Sequence, residues 1–237
     1  MNKKYFKNFI DKYYLGGLCE SVKVISKDNK IATNFQTQEK DLIGFVTAND
    51  IPIESGVFGV FNTGLLLKGI GLFNDELEVN LNEEHGKFTK MVLKDSNYEM
   101  SLLLADLDII PETKKIAELP PISCTINIDN IFIDKFLKSK TVLSDSEVMA
   151  LVQKDNSIDI ILNYAEFNTD NVKFNMPATF SIDLDNPIKL NSNKVKEILA
   201  ANRDCLSGTI DIIKEGLVVF KFNCGNIITK YLLVMLS

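Results

Sequence analysis

The sequence predicts an α+β chain of two similar domains, each with two helices packed on antiparallel sheets. Three observations lead there. Residues 111–121, PETKKIAELPP, place three of the chain's six prolines among charged side chains, a composition that interrupts helices and strands and reads as an extended connector. The connector leaves two parts of similar length, residues 1–110 and 122–237. Each part repeats one order of elements, a helix followed by strands and then a second helix followed by strands, with little identity between the copies.

The elements follow from apolar spacing. Over residues 2–15, Phe6, Phe9, Ile10, Tyr13 and Tyr14 recur at helical intervals, and Gly16-Gly17 ends the run. Short strands are expected at 21–25, 42–47 and 57–61, then a helix over 62–73 with Asn62 or Thr63 as its N-cap. Leu77 to Leu81 alternates apolar and polar residues, and further strands are expected at 88–93 and 98–104. After the connector, a strand at 124–128 leads through Asp129 or Asn130 into a helix at 131–140 carrying Ile133, Phe136 and Leu137. Strands at 147–152, 157–163 and 172–175 come next. The segment FSIDLDN at 180–186 echoes TINIDN at 125–130 and again reaches a helix, 192–204, with Val195, Ile198, Leu199 and Asn202 on one face. Strands at 208–213, 217–222 and 227–236 complete the pattern.

A hydrophobic content of 46% is that of an ordinary globular protein, and a net charge of −6 with pI near 5.0 argues against a chain coated all over with nucleic acid. The first residues carry no apolar leader, and no stretch reaches the roughly 18 uncharged residues of a membrane span, so the expected compartment is the cytoplasm, without a membrane partner. Cys19, Cys124, Cys205 and Cys224 are widely spaced with no C-x-x-C pair and read as buried reduced thiols rather than a disulfide framework or zinc site.

Positive charge is concentrated on the four predicted helices. The first carries Lys3, Lys4, Lys7 and Lys12 against Asp11, and the second carries Lys68 alone. The third carries Lys135, Lys138 and Lys140 against Asp134, and the fourth Lys194, Lys196 and Arg203 against Glu197 and Asp204. All four are net positive in an acidic chain, which suits a molecule that meets phosphate on one surface and repels it elsewhere.

Residues 58–75, FGVFNTGLLLKGIGLFND, and the strands that follow up to Ile110 resemble the DNA sliding clamps, the T4-type phage clamp in particular. The first helix and the element order after the connector are similar too. The resemblance implies two clamp domains per subunit and three subunits closed head to tail into a ring, with helices lining a hole that admits double-stranded DNA. It implies a DNA polymerase and a clamp loader ATPase as partners. DNA contact would fall to Lys3, Lys4, Lys7, Lys12, Lys68, Lys135, Lys138, Lys196 and Arg203, and a partner-peptide pocket beside the connector would involve Leu119, Pro120, Ile122 and Tyr231. Lysine suits such a role, because a hydrated point charge holds the phosphate backbone without reading bases and so permits sliding.

No catalytic residue, cofactor or metal is expected. His85, the only histidine, lies in a polar turn. Asp106 and Asp108 are expected on one face of a strand, with nothing nearby to complete an acid/base or cation site. The run from Asp183 begins like a calcium-binding loop but has Ile188 where glycine is required and Lys194 where glutamate is required. No phosphate-binding glycine loop occurs, so nucleotide chemistry would belong to a partner. The rival expectation is an oligomeric virion or scaffold protein indifferent to DNA.

Overall fold

The computed structural model describes residues 1–114, 118–167 and 169–236. Lys115, Ile116 and Ala117 of the expected connector lie outside the described residues. The chain divides into a first unit, Met1–Lys114 with Asn226–Thr229, and a second, Lys115–Gly225 with Lys230–Ser237.

The first unit opens with α1 (Lys3–Tyr14), whose Phe6, Phe9, Ile10 and Tyr13 are buried. Strands β1 (Val22–Lys27), β2 (Lys30–Gln36), β3 (Leu42–Ala48) and β4 (Gly56–Val60) form an antiparallel run in the order β3-β2-β1-β4. Helix α2 (Thr63–Ile70) follows, then β5 (Glu78–Glu84), β6 (Lys87–Lys94) and β7 (Glu99–Leu103) as a three-stranded meander. Burial alternates strictly along β3, so one face of the strand meets the core. Helix α1 packs on β3 and beside α2.

Strand β2 departs from the sequence expectation, which passed over it. Asp28 and Asn29 both take positive φ, 52° and 58°, and join Lys27 directly to its partner Lys30. This is the two-residue turn whose twist matches a hairpin, and Asp and Asn tolerate it.

The second unit repeats the plan. Strand β8 (Cys124–Asp129) runs into α3 (Asn130–Val142), followed by β9 (Val148–Lys154), β10 (Ser157–Leu162), β11 (Val172–Pro177), the two-residue β12 (Thr179–Phe180) and β13 (Ile188–Asn191). Helix α4 (Ser192–Ala201) precedes β14 (Ser207–Ile213), β15 (Leu217–Cys224) and β16 (Ile227–Val234). The strand orders are β12-β8-β14-β15-β16 and β11-β10-β9-β13. The strand leading into α4 is β13, not the echo segment at 180–186, of which only Phe180 is in a strand.

Each helix begins at a short amide or carboxylate side chain that satisfies N–H groups the helix itself cannot. Asn2 accepts from Lys4 N, Asn62 from Leu65 N, Asp129 from Phe132 N, and Asn191 from both Asn193 N and Lys194 N. Gly69 of α2 faces β7 closely: a Cβ there would lie 2.2 Å from the Met100 sulfur, so Met100 would have to swing aside for any larger residue. Asp106 and Asp108 do not share a strand face. They belong to a 3-10 turn over Leu107–Ile109, where Asp106 Oδ1 accepts from Asp108 N at 3.1 Å. His85 sits in the β5–β6 turn with φ 54°, where the sequence placed it.

Candidate nucleic-acid interface

The basic side chains of the helices divide into those that face solvent and those that the fold consumes. On α1, Lys4 and Lys7 are exposed, and Lys7 pairs with Asp11 one turn on at 2.5 Å. Lys3 is half-buried and donates to Phe73 O. Lys12 corrects the sequence expectation: it is only 1% exposed and is engaged inside the fold, so its ammonium is not presented to a ligand. It borders the apolar stripe beside Tyr13, and a lysine stem buries there as readily as a hydrocarbon. On α2, Lys68 is exposed between Leu65 and Leu72, three residues after one and four before the other, on the same outward face.

In the second unit α3 packs beside α4. Lys135 and Lys138 are exposed on α3, and the Lys135 ammonium lies 5.2 Å from the centre of the Phe174 ring, a cation–π contact that leaves the charge accessible. Lys140 is buried. Its ammonium donates to the carbonyls of Leu143, Ser144 and Ser146, closing the turn after α3, and burial together with nearby Lys196 pushes its pKa down. Lys196 is exposed on α4 beside Glu197, at 2.8 Å. Helix α4 ends at Ala201, so Arg203 lies in the following turn rather than on the helix face; it reaches Asp134 of α3 through Nε and Nη2, each at 2.9 Å. These ion pairs are exposed and weak, and a phosphate can compete for each cation.

Around the expected peptide pocket, Leu119 is half-buried while Pro120 and Ile122 are exposed. Tyr231 is not available there. It is 0% exposed, and its hydroxyl accepts from Asn202 Nδ2 at 3.0 Å, which ties β16 to the end of α4. In the first unit a groove of about 680 Å³ lies between Cys19, Val22, Phe35, Gln36 and Ile110 and the first connector residues, Pro111 and Glu112. Gln36 Nε2 donates to Glu112 O at 3.3 Å, and its Oε1 is buried without a partner among the described residues.

Two strand edges bear on assembly. Among the described residues, β7 closes one side of the first unit's meander and β11 closes one side of the second unit's four-stranded sheet. Beside β7 lies an apolar groove of about 350 Å³ that includes Phe61, Leu65, Leu66, Leu103 and Leu104. Leu103 is 81% exposed and Phe61 59%.

The cysteine expectation also needs correction. Cys205 and Cys224 are joined in a disulfide, with Cα atoms 4.5 Å apart, while Cys19 and Cys124 are free and buried. The antiparallel register of β14 and β15 pairs Gly208 with Phe222; continued outward it sets Cys205 opposite Gly225, one residue from Cys224. The hairpin brings the two cysteines into the same neighbourhood, which linear spacing alone concealed, and the chain's departure from strand geometry before Ser207 completes the pairing. Among the described residues, no helix is long and apolar enough to cross a membrane.

No protein-family model and no curated protein sequence matches the chain. Solved structures do match in three dimensions. The proliferating cell nuclear antigen (PCNA) of A. fulgidus, determined with the C-terminal region of FEN-1 bound, superposes with a TM-score of 0.78 at 14% identity, covering 100% of this chain and 97% of that one. The fold is that of the sliding clamps. Entamoeba histolytica PCNA gives the same answer, with a TM-score of 0.77 at 12% identity, covering 100% of this chain and 96% of the other. Identity this low shows the shared fold alone.

Proposed function

We propose that the protein is a DNA sliding clamp, a non-enzymatic ring of three copies that encircles duplex DNA and tethers a DNA polymerase. The observation that carries this reading is the exposed basic residue on every helix of a clamp fold whose chain is otherwise acidic: Lys4 and Lys7, Lys68, Lys135 and Lys138, and Lys196. Such cations hold the phosphate backbone at any sequence, and the energy changes little from one base pair to the next. Lys12 drops out of the DNA-facing set because it is buried, and Lys3 contributes less because it is tied to Phe73 O.

Ring closure is supported by two terminal strands, β7 and β11, each without a strand partner on its outer side among the described residues. A β7 edge on one copy and a β11 edge on the next are different surfaces, so their pairing is heterologous and closes into a ring when the rotation permits. The apolar groove beside β7, with Phe61, Leu65 and Leu103, takes the neighbouring copy. A closed ring must open before duplex can enter it, a step that falls to a clamp loader ATPase as a partner.

Partner peptides dock at the connector through Leu119, Pro120 and Ile122, and in the first unit's groove, where a peptide N–H would supply the donor that Gln36 Oε1 lacks. The FEN-1 region bound to A. fulgidus PCNA supports this class of partner. The similarity of residues 58–75 to phage clamps favours a viral replication role in a host cytoplasm.

The test combines mass with topology. Light scattering is expected to give about three times 26.6 kDa, and protein loaded on circular duplex should stay bound and leave once the circle is cut. A smaller species that is indifferent to DNA would instead establish the scaffold reading.

A further inference from the structure

We propose that Cys205 and Cys224 form a reversible redox site that reacts with small-molecule disulfides of the glutathione class and, when closed, pins the end of α4 to β15. This inference is independent of the clamp reading. The two sulfurs sit at the open end of the β14–β15 hairpin, Cys205 three residues beyond the last described contact of its helix's C-cap, Asn202, and Cys224 as the final residue of β15. The link spans 19 residues and encloses the whole hairpin.

The environment sets the order of events. Cys224 is half-buried, whereas Cys205 is 0% exposed. Asn202 Oδ1 and Asp204 Oδ1 lie 3.7 and 3.8 Å from the Cys205 sulfur, and oxygen atoms there, one of them from a carboxylate, oppose a thiolate at Cys205 in the open form. Cys224 is therefore the entry point. Its thiolate attacks one sulfur of oxidised glutathione, forming a mixed disulfide and releasing one glutathione thiolate. Cys205 then passes its proton to the neighbouring exposed Asp204 carboxylate and attacks the Cys224 sulfur, so the protein disulfide forms and the second glutathione thiolate departs, to be protonated in turn. In sum, two protein thiols and one glutathione disulfide give one protein disulfide and two glutathione thiols, and excess reduced glutathione runs the sequence backwards.

The other two cysteines serve as internal controls. Burial pushes the Cys19 thiol up to about 12 and the Cys124 thiol up to about 11, so neither supplies an appreciable thiolate near neutral pH. The closed link matters for α4 because Arg203, which reaches Asp134 of α3, is only two residues from the sulfur.

The experiment equilibrates the full chain in buffers of graded reduced and oxidised glutathione, quenches with acid, alkylates and reads intact mass and peptide map. Cys205 and Cys224 should lose their thiols together while Cys19 and Cys124 keep theirs. In C205S, Cys224 should stop at the glutathione adduct, and in C224S, Cys205 should remain unreacted. Hydrogen exchange over residues 199–206 should quicken several-fold in the reduced wild type, with α1 unchanged. Four free thiols at every ratio would overturn the proposal. So would an adduct on Cys205 in C224S, or protection of both thiols by stoichiometric zinc that a chelator removes, since Asp204 completes a three-ligand group there. The wild-type titration stands even if a serine variant fails to fold.

Discussion

Lys140 shows how one lysine can be lost to function and gained by stability. Its ammonium is shared by three carbonyls that follow α3, of Leu143, Ser144 and Ser146. Lys140→Met keeps the stem but strands those acceptors, and should cost about 1–3 kcal/mol in urea unfolding. Lys138→Met, on the exposed face, should stay within about 0.5 kcal/mol. Asp159 gives the pH counterpart. Its carboxylate accepts from Lys173 Nζ at 2.6 Å and Asn175 Nδ2 at 2.9 Å, and these contacts, Lys173 foremost, hold its pKa below the ordinary value. The unfolded chain then binds the proton first as pH falls, so the stabilisation is complete above the unfolded value of roughly 3.9 and is lost as pH drops through the lower, folded value. Asp159→Asn should flatten this part of the acid limb, while stability measured at pH 7 falls. An unchanged acid limb would show that the pair contributes nothing there.

Among the elements, β7 carries the most consequential exposure. Among the described residues its outer edge has no strand partner, and Leu103 is 81% exposed next to an apolar groove. Exposed edges of this kind are normally blunted or covered, and in the proposed ring a second copy would supply the cover. Leu103→Glu should leave thermal unfolding of the isolated subunit nearly unchanged and reduce the mass in light scattering from three copies to one. A trimer that survived this substitution would move the interface elsewhere. The short helix α2 belongs to the same arrangement: Gly69 admits Met100 of β7, so the helix and the edge strand are placed as a pair.

For the whole molecule, the decisive property is where charge sits rather than how much there is. Reversing Lys4, Lys68, Lys135 and Lys138 to glutamate should abolish retention on circular DNA and processive synthesis, with fold and mass intact. The same number of reversals on strands and turns, at Lys27, Lys30, Lys87 and Lys154, changes net charge equally and should reduce retention far less. Partial variants should also lower the salt dependence of DNA binding, by about one unit of slope for each phosphate contact removed. Equal loss in both sets would mean that net charge alone governs the interaction.

Much of this architecture is legible in the amino-acid order because helical and strand periods are local. Phe6, Phe9, Ile10 and Tyr13 announce α1, and Asn62 and Asp129 mark the starts of α2 and α3. The repeated order of elements and the basic bias of the helices are also local; the clamp fold itself, which the matched structures share, is expected from the resemblance of residues 58–75 and the element order to the sliding clamps. Tertiary structure alone decided the rest. Whether a lysine faces water depends on what packs beside it, which spacing cannot state: Lys12 and Lys140 are buried while Lys68 and Lys138 are exposed. Tyr231 lies on a buried position of β16, where Asn202, 29 residues away, donates to its hydroxyl and satisfies it. Cys205 and Cys224 meet because a hairpin register brings the ends of two strands together, a long-range relation that becomes visible only once the strands are paired.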